Sequence, residues 1–131
     1  MKVVIDTNVF ISSIVFKGKA RQVYDFCIEN TDIFISDFII VELSNTLHIK
    51  FNLPKSQVKL IIKSMLNIIE NIKPTTVLPT VCRDLDDNNI LQLCETIEAD
   101  FLITGDNDLL VLKKYLSTKI LNPTDFLHLN L

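Results

Sequence analysis

The chain has 131 residues, 48% of them hydrophobic, and sixteen acids against thirteen bases give a formal net charge of −3. That apolar content excludes a disordered chain, and with only two glycines and four prolines no flexible linker separates two halves, so one domain over residues 1–131 is expected. No stretch approaches the ~18 uninterrupted apolar residues of a membrane span, and Asp6 stops the first apolar run far short of a signal-peptide core, so a cytoplasmic chain without membrane contact is expected.

Lys2–Ile5 reads as a first strand, ended by Asp6-Thr7-Asn8. An apolar run that stops at a carboxylate is how a buried parallel strand delivers an acid to the carboxyl edge of a sheet, where open α/β folds keep their sites. Residues 9–16 predict a short helix leading to a loop at Lys17-Gly18-Lys19, and residues 21–29 a second helix with Val23, Phe26 and Cys27 on one face. Asp32–Ile35 reads as the second strand, and Ser36 as the cap of a helix reaching about His48.

Pro54 suits the first turn of a longer helix. There Val58, Ile61, Ile62, Met65, Ile69 and Ile72 keep helical spacing, while Lys55, Lys59 and Lys63 repeat every four residues as a basic stripe on the solvated side. Residues 75–78 predict a short strand between Pro74 and Pro79. Asp87–Ile97 predicts a helix, residues 101–104 a strand, residues 109–115 a helix, residues 119–121 a last strand, and Pro123–Leu127 a terminal turn or helix. Strands alternating with helices predict a three-layer α/β/α domain with a central, mostly parallel sheet of four or five strands. Cys27, Cys82 and Cys94 form no CxxC pair and read as reduced core residues.

The acids carry the chemistry. Asp6 and Asp106 each follow a strand and are expected at one sheet edge. Capping and turn formation also explain an Asp in such places. Asp6, however, has apolar residues on both sides, and a lone buried carboxylate is costly unless paired or coordinated. Glu42 lies within Phe38-Ile39-Ile40-Val41-Glu42-Leu43, on the face of Phe38; an exposed stripe and an inward position fit it equally. In Arg83-Asp84-Leu85-Asp86-Asp87, Asp87 shares a helix face with Ile90, Leu91 and Cys94 and is the acid selected for a pocket. Asp86 turns about 100° away and is expected to cap the helix or oppose its dipole, and Asp84 is expected to pair with Arg83.

Two carboxylates about 4 Å apart repel by ~4 kcal/mol at an effective dielectric of 20, so four in one cleft require a counter-charge. Oxygen-only ligands, with no thiolate or imidazole beside them, suit one or two Mg²⁺ or Mn²⁺ ions and not zinc. Neither His48 nor His128 sits beside a Ser or Cys nucleophile, which makes a Ser-His-Asp or Cys-His hydrolase a poor fit. Setting aside Asp6, Glu42, Asp84, Asp86, Asp87, Asp106 and Asp108 leaves nine acids against thirteen bases, a mildly basic body compatible with a polyanion.

These residues, in order, resemble the PIN domain: a hydrophobic run ending Asp6-Thr7-Asn8, a mid-helix Glu42, Arg83-Asp84-x-x-Asp87 before a helix, and Thr104-Gly105-Asp106-x-Asp108. The similarity spans essentially the whole chain and is nearest to the branch of toxin components of toxin–antitoxin systems. It implies a metal-dependent ribonuclease, with Asp6, Glu42, Asp87 and Asp106 matching the family's catalytic, metal-holding quartet, Thr7, Asn8 and Thr104 its small supporting residues, and Asp108 a further acid. Leu85 stands where relatives often have Pro, and Asn89 where many have Lys. The implied reaction is hydrolysis of an RNA phosphodiester with water as the nucleophile. Lys17, Lys19, Arg21 and the Lys55/Lys59/Lys63 stripe are candidate backbone contacts, although ordinary solvated faces explain them as well. By the same resemblance, a homodimer and an antitoxin partner are expected.

Two other readings fit less well. A non-catalytic PIN-like module binding RNA or protein would have no need of an intact quartet. A haloacid-dehalogenase-like phosphatase also places an Asp after its first strand, but wants a second Asp where this chain has Asn8.

Overall fold

A computed structural model describes residues 1–129 of the chain. The strands are β1 (Lys2–Ile5), β2 (Asp32–Ile35), β3 (Glu70–Asn71), β4 (Phe101–Ile103), β5 (Lys114–Tyr115) and β6 (Thr118–Leu121). The helices are α1 (Thr7–Val15), α2 (Gly18–Asn30), α3 (Asp37–Asn45), α4 (Lys55–Leu66), α5 (Asp87–Ile97), α6 (Asn107–Leu110) and α7 (Pro123–Leu127), and a π-helical stretch, Thr46–Lys50, prolongs α3.

The sheet has the order β3-β2-β1-β4-β6-β5, parallel throughout except for the β5–β6 pair. Its centre is apolar on both faces. Val3, Val4, Ile5, Leu102 and Ile103 are all buried, which is why β1 and β4 read as unbroken hydrophobic runs rather than alternating ones. The chain steps outward from β1 to β2 to β3, then returns to pair β4 with the other side of β1. With right-handed crossovers this reversal puts helices on both faces. Accordingly α1 packs on α2 and α3, while α5 packs against β1. The reversal also opens a crevice at the carboxyl ends of β1 and β4, the place where a doubly wound sheet holds a ligand.

Ser36 caps α3 as expected, its hydroxyl accepting from Ile39 N. Helix α5 begins at Asp87, and its buried face carries Ile90, Leu91, Cys94 and Ile97. The three cysteines are free and buried. Phe126 of α7 locks the last helix into the core, edge-on to Phe26 at 5.9 Å and to Phe101 at 5.5 Å.

Several expectations need correction. Among the described residues the sheet has six strands, not four or five, because two two-residue pairings, β3 and β5, extend its edges. Residues 75–78 form no strand; Thr75 N, Thr76 and its carbonyl instead bond to Thr96 and Gln92 of α5. Helix α4 stops at Leu66, although the apolar spacing continues through Ile69 and Ile72, because Ile72 N turns to pair with Ile35 O at 2.8 Å. The helix expected over 109–115 is only α6. Beyond it Lys113 and Leu116 take left-handed φ values of 61° and 50°, which a continuing helix excludes, and the chain turns into the β5–β6 hairpin.

Candidate active site

The site is built at the crevice from two strand ends and two helix starts. Ile5 is in register with Ile103, and Asp6 N donates to Ile103 O at 2.9 Å, so Asp6 and Thr104 emerge side by side. Asp6 is 5% exposed and caps α1. Its Oδ1 accepts from Thr7 N and its Oδ2 from the Thr104 hydroxyl, both at 2.7 Å. Thr104 Oγ1 in turn accepts from Asp106 N at 3.0 Å, and Asp106 Oδ1 accepts from Asp108 N at 2.9 Å to cap α6. The capping and site readings of Asp6 and Asp106 are therefore compatible: one carboxylate oxygen of each starts a helix.

Glu42 of α3 is half-buried and turned toward the start of α1. The Thr7 hydroxyl donates to its Oε1, tying α3 to the start of α1 next to Asp6. This settles the orientation that the sequence leaves open. Asp87 enters from the start of α5, 8% exposed, and its Oδ2 is buried with no hydrogen-bond partner among the described residues. Asp87, Asp106 and Asp108 each bring one ligand oxygen within 4.8 Å of the others.

Burial dominates the electrostatics. It pushes the Asp6 carboxyl up to about 6, against the hydrogen bonds from Thr104 and Thr7, with Glu42 and Asp106 adding repulsion. Burial also pushes Asp87 up to about 7, helped by its contact with Asp106 and by the charges of Asp106, Asp84 and Asp6. A contact between two carboxylates is acceptor against acceptor unless a proton or a cation lies between them. An orphaned buried oxygen among converging carboxylates thus fits a hard divalent cation. A softer metal is not favoured, because the cluster offers carboxylate oxygens with no thiolate or imidazole among them.

The quartet expected from sequence is thus brought into one charged neighbourhood, but not at one set of ligand distances. Among the described residues, the compact oxygen cluster is Asp87, Asp106 and Asp108. Asp6 joins through Thr104, and Glu42 joins Asp6 through Thr7. Thr7 and Thr104 are buried, whereas Asn8 is exposed in the first turn of α1. The expected Arg83–Asp84 pair does not form. Arg83 Nη2 donates instead to both oxygens of Asp108, at 2.9 and 3.1 Å. Asp84 Oδ1 accepts from Asp86 N at 3.0 Å, and Asp86 makes no capping bond at the start of α5. Sequence adjacency suggested the wrong partner for Arg83; the right one is twenty-five residues away and meets it only across the crevice.

The candidate basic residues stand apart from the acids. Lys17, Lys19 and Arg21 are exposed, and Arg21 is engaged within α2 by Asp25 at 3.0 Å. Lys55, Lys59 and Lys63 line a groove of about 560 Å³ between α3 and α4, over Val58, Ile62 and Leu66, which shares no lining residue with the acid cluster.

This winding, with acids gathered where β1 and β4 end, defines a class that comparison with known proteins makes specific. The sequence model for the PIN domain matches residues 2–108. The chain belongs to the PIN domain family. The uncharacterized protein MJ1680 of Methanocaldococcus jannaschii is 32% identical, over 97% of this chain and 90% of its own length. In solved structures, the fold is similar to that of VapBC2 from Rickettsia felis, bound to a DNA fragment from its promoter, with a TM-score of 0.67, 16% identity and coverage of 93% and 98% of the two chains. It is also similar to Mycobacterium tuberculosis VapC20, described as a sarcin-ricin loop cleaving toxin, with a TM-score of 0.64, 11% identity and coverage of 89% and 98%. No helix among the described residues is long and apolar enough to cross a membrane.

Proposed function

We propose that this chain is a single-domain, divalent-cation-dependent ribonuclease, the toxin of a toxin–antitoxin pair, acting in the cytoplasm. The observation that carries the reading is the buried, unpartnered oxygen of Asp87 beside Asp106 at the crevice of a PIN fold. Asp87 and Asp106, with Asp6 adjoining, would hold one or two Mg²⁺ or Mn²⁺ ions, and Glu42 would complete the acidic wall. A bound cation supplies the positive charge and Lewis acidity that phosphodiester hydrolysis requires.

The protein's own part is positional. Thr104 fixes the Asp6 carboxylate through Oδ2, and Thr7 holds Asp6 Oδ1 with its backbone and Glu42 with its hydroxyl. Asp108 N in the first turn of α6 holds Asp106 through Oδ1 in the same way that Thr7 N holds Asp6, which keeps the two carboxylates from turning away and leaves lone pairs free for a cation. No Ser, Cys or His nucleophile is needed, so water is the attacking group.

The similarity to VapBC2 supports an antitoxin partner, that to VapC20, a sarcin-ricin loop cleaving toxin, supports an RNA substrate, and a homodimer follows from the family resemblance. The exposed lysines of α4, and Lys17 and Lys19, are candidate contacts to the RNA backbone. The test is cleavage of a labelled single-stranded RNA by the purified protein with Mn²⁺. Cleavage that EDTA abolishes supports the reading; Mn²⁺ binding with intact RNA would favour a non-catalytic binding module instead.

A further inference from the structure

Arg83 occupies an unusual position for a surface cation. Its side chain is 85% exposed, yet it is committed to Asp108, whose oxygen lies within 4.8 Å of Asp87 and Asp106. Only Nη2 makes that contact, to both carboxylate oxygens. Nε and Nη1 have no protein partner among the described residues. Among those residues the two ion pairs are Arg21–Asp25 and Arg83–Asp108, so Arg83 is the one cation paired with the acids of the crevice. An exposed pair of this kind adds little to stability, which leaves its place beside the cluster to be explained by something else.

We propose that Arg83 is a phosphate-contact residue for the RNA strand, and that Asp108 is its positioning residue rather than a cation ligand. The inference rests on the ribonuclease reading and deepens it. A phosphodiester approaching this crevice meets Asp6, Glu42, Asp87, Asp106 and Asp108, and needs a fixed positive charge at the rim. A guanidinium carries five N–H donors in one plane, and the Nε and Nη1 hydrogens remain free to donate to phosphate oxygens while Nη2 stays on Asp108. Holding the arginine in advance reduces the ordering that RNA binding would otherwise require. The charge of Asp108 is already balanced by Arg83, whereas Asp87 Oδ2 has no partner among the described residues, so the cation is assigned to Asp87 and Asp106, with Asp6 adjoining.

The experiment combines two titrations. Binding of a fluorescein-labelled single-stranded RNA is followed by anisotropy over a salt series in Ca²⁺, with the RNA recovered intact, and Mn²⁺ binding is followed by calorimetry. Arg83→Gln is expected to weaken RNA binding roughly tenfold and to lower the slope of log Kd against log salt by about 1. Asp108→Asn is expected to weaken it several-fold. The double variant is expected to be no weaker than Arg83→Gln alone, the signature of two residues acting as one unit. Arg83→Lys should restore the salt slope but not the full affinity. Mn²⁺ affinity should stay within about twofold in each variant.

Unchanged RNA affinity and salt slope in Arg83→Gln would overturn the proposal. So would a tenfold loss of Mn²⁺ affinity in Asp108→Asn, which would make Asp108 a ligand. If the wild-type protein binds Mn²⁺ but neither binds nor cuts RNA, it is the ribonuclease reading that fails.

Discussion

Thr104 Oγ1 donates to Asp6 Oδ2 at 2.7 Å across the junction of β1 and β4, joining residues ninety-eight positions apart. The same oxygen accepts from Asp106 N at 3.0 Å. One buried hydroxyl therefore sets the relative position of two acids that come from different strand ends.

Replacing Thr104 by Val keeps the shape and removes the hydroxyl. Asp6 then loses a donor while remaining buried, so its pKa should rise further, because that bond now lowers it. Losing one partner of a buried acceptor costs about 1–3 kcal/mol. We expect Thr104→Val to lower the denaturation free energy at neutral pH by that amount and to weaken Mn²⁺ binding, with Thr104→Ser recovering most of both. Equal stability and equal Mn²⁺ affinity in the Val variant would show that the hydroxyl orients nothing.

The raised carboxyls give the cation-free protein a characteristic pH dependence. Asp6 and Asp87 have folded-state values of about 6 and about 7 against an unfolded value of 3.8. A carboxyl raised in this way binds more protons folded than unfolded, so its stabilising effect is complete below about pH 4 and is lost as pH rises through 6 and 7. For Asp6 the loss is on the order of 3 kcal/mol. Melting in EDTA should therefore fall between pH 5 and 7.5, and saturating Mn²⁺ should flatten the curve. A melting temperature in EDTA that rises over this range would contradict the burial of these two groups.

Asp6→Asn removes the charge at nearly constant volume. The variant should lose RNA cleavage and at the same time gain about 1 kcal/mol of cation-free stability at neutral pH, roughly 4 °C in Tm. The gain is smaller than the full penalty on Asp6 because an amide oxygen replaces only part of what two carboxylate oxygens accept. Differential scanning calorimetry in EDTA, run beside the cleavage assay, reads both effects. A variant that is inactive and also strongly destabilised would make Asp6 a structural residue first.

A cation that binds only the folded chain stabilises it by mass action. Mn²⁺ at about one hundred times its Kd should add ~2.7 kcal/mol to the wild-type protein. That increment should vanish in Asp87→Asn and persist in Phe126→Ala. The latter should lose about 3–5 kcal/mol of stability through a cavity in the core beside Phe26 and Phe101. Thermal shift assays with and without Mn²⁺ separate the two variants.

How far the sequence carried the fold depended on local signal. The run Val3-Val4-Ile5 before Asp6 and the face shared by Asp87, Ile90, Leu91 and Cys94 have strong, short-range patterns, and β1 and α5 formed where these predict. Segment 67–86 and the 111–117 turn did not follow pattern. Glu70–Asn71 and Lys114–Tyr115 are edge pairings two residues long, too short to show alternation, and are dictated by the neighbouring strand. Asp6, Asp87 and Asp106 were legible from local pattern because each follows a strand or starts a helix, whereas mid-helix Glu42 joined them only through the family resemblance. The mutual contacts of the acids were not legible. The turn of Glu42 toward α1 depends on the Thr7 hydroxyl, and the partner of Arg83 depends on the loop before α5 meeting α6, and both are long-range facts.

Anomalous diffraction from a Mn²⁺-soaked crystal tests the central claim most directly. A peak is expected at bonding distance, about 2.1 Å, from oxygens of both Asp87 and Asp106, on the side facing Asp6. A well-occupied Mn²⁺ site elsewhere, with Asp87 and Asp106 sharing only a proton or water, would contradict it.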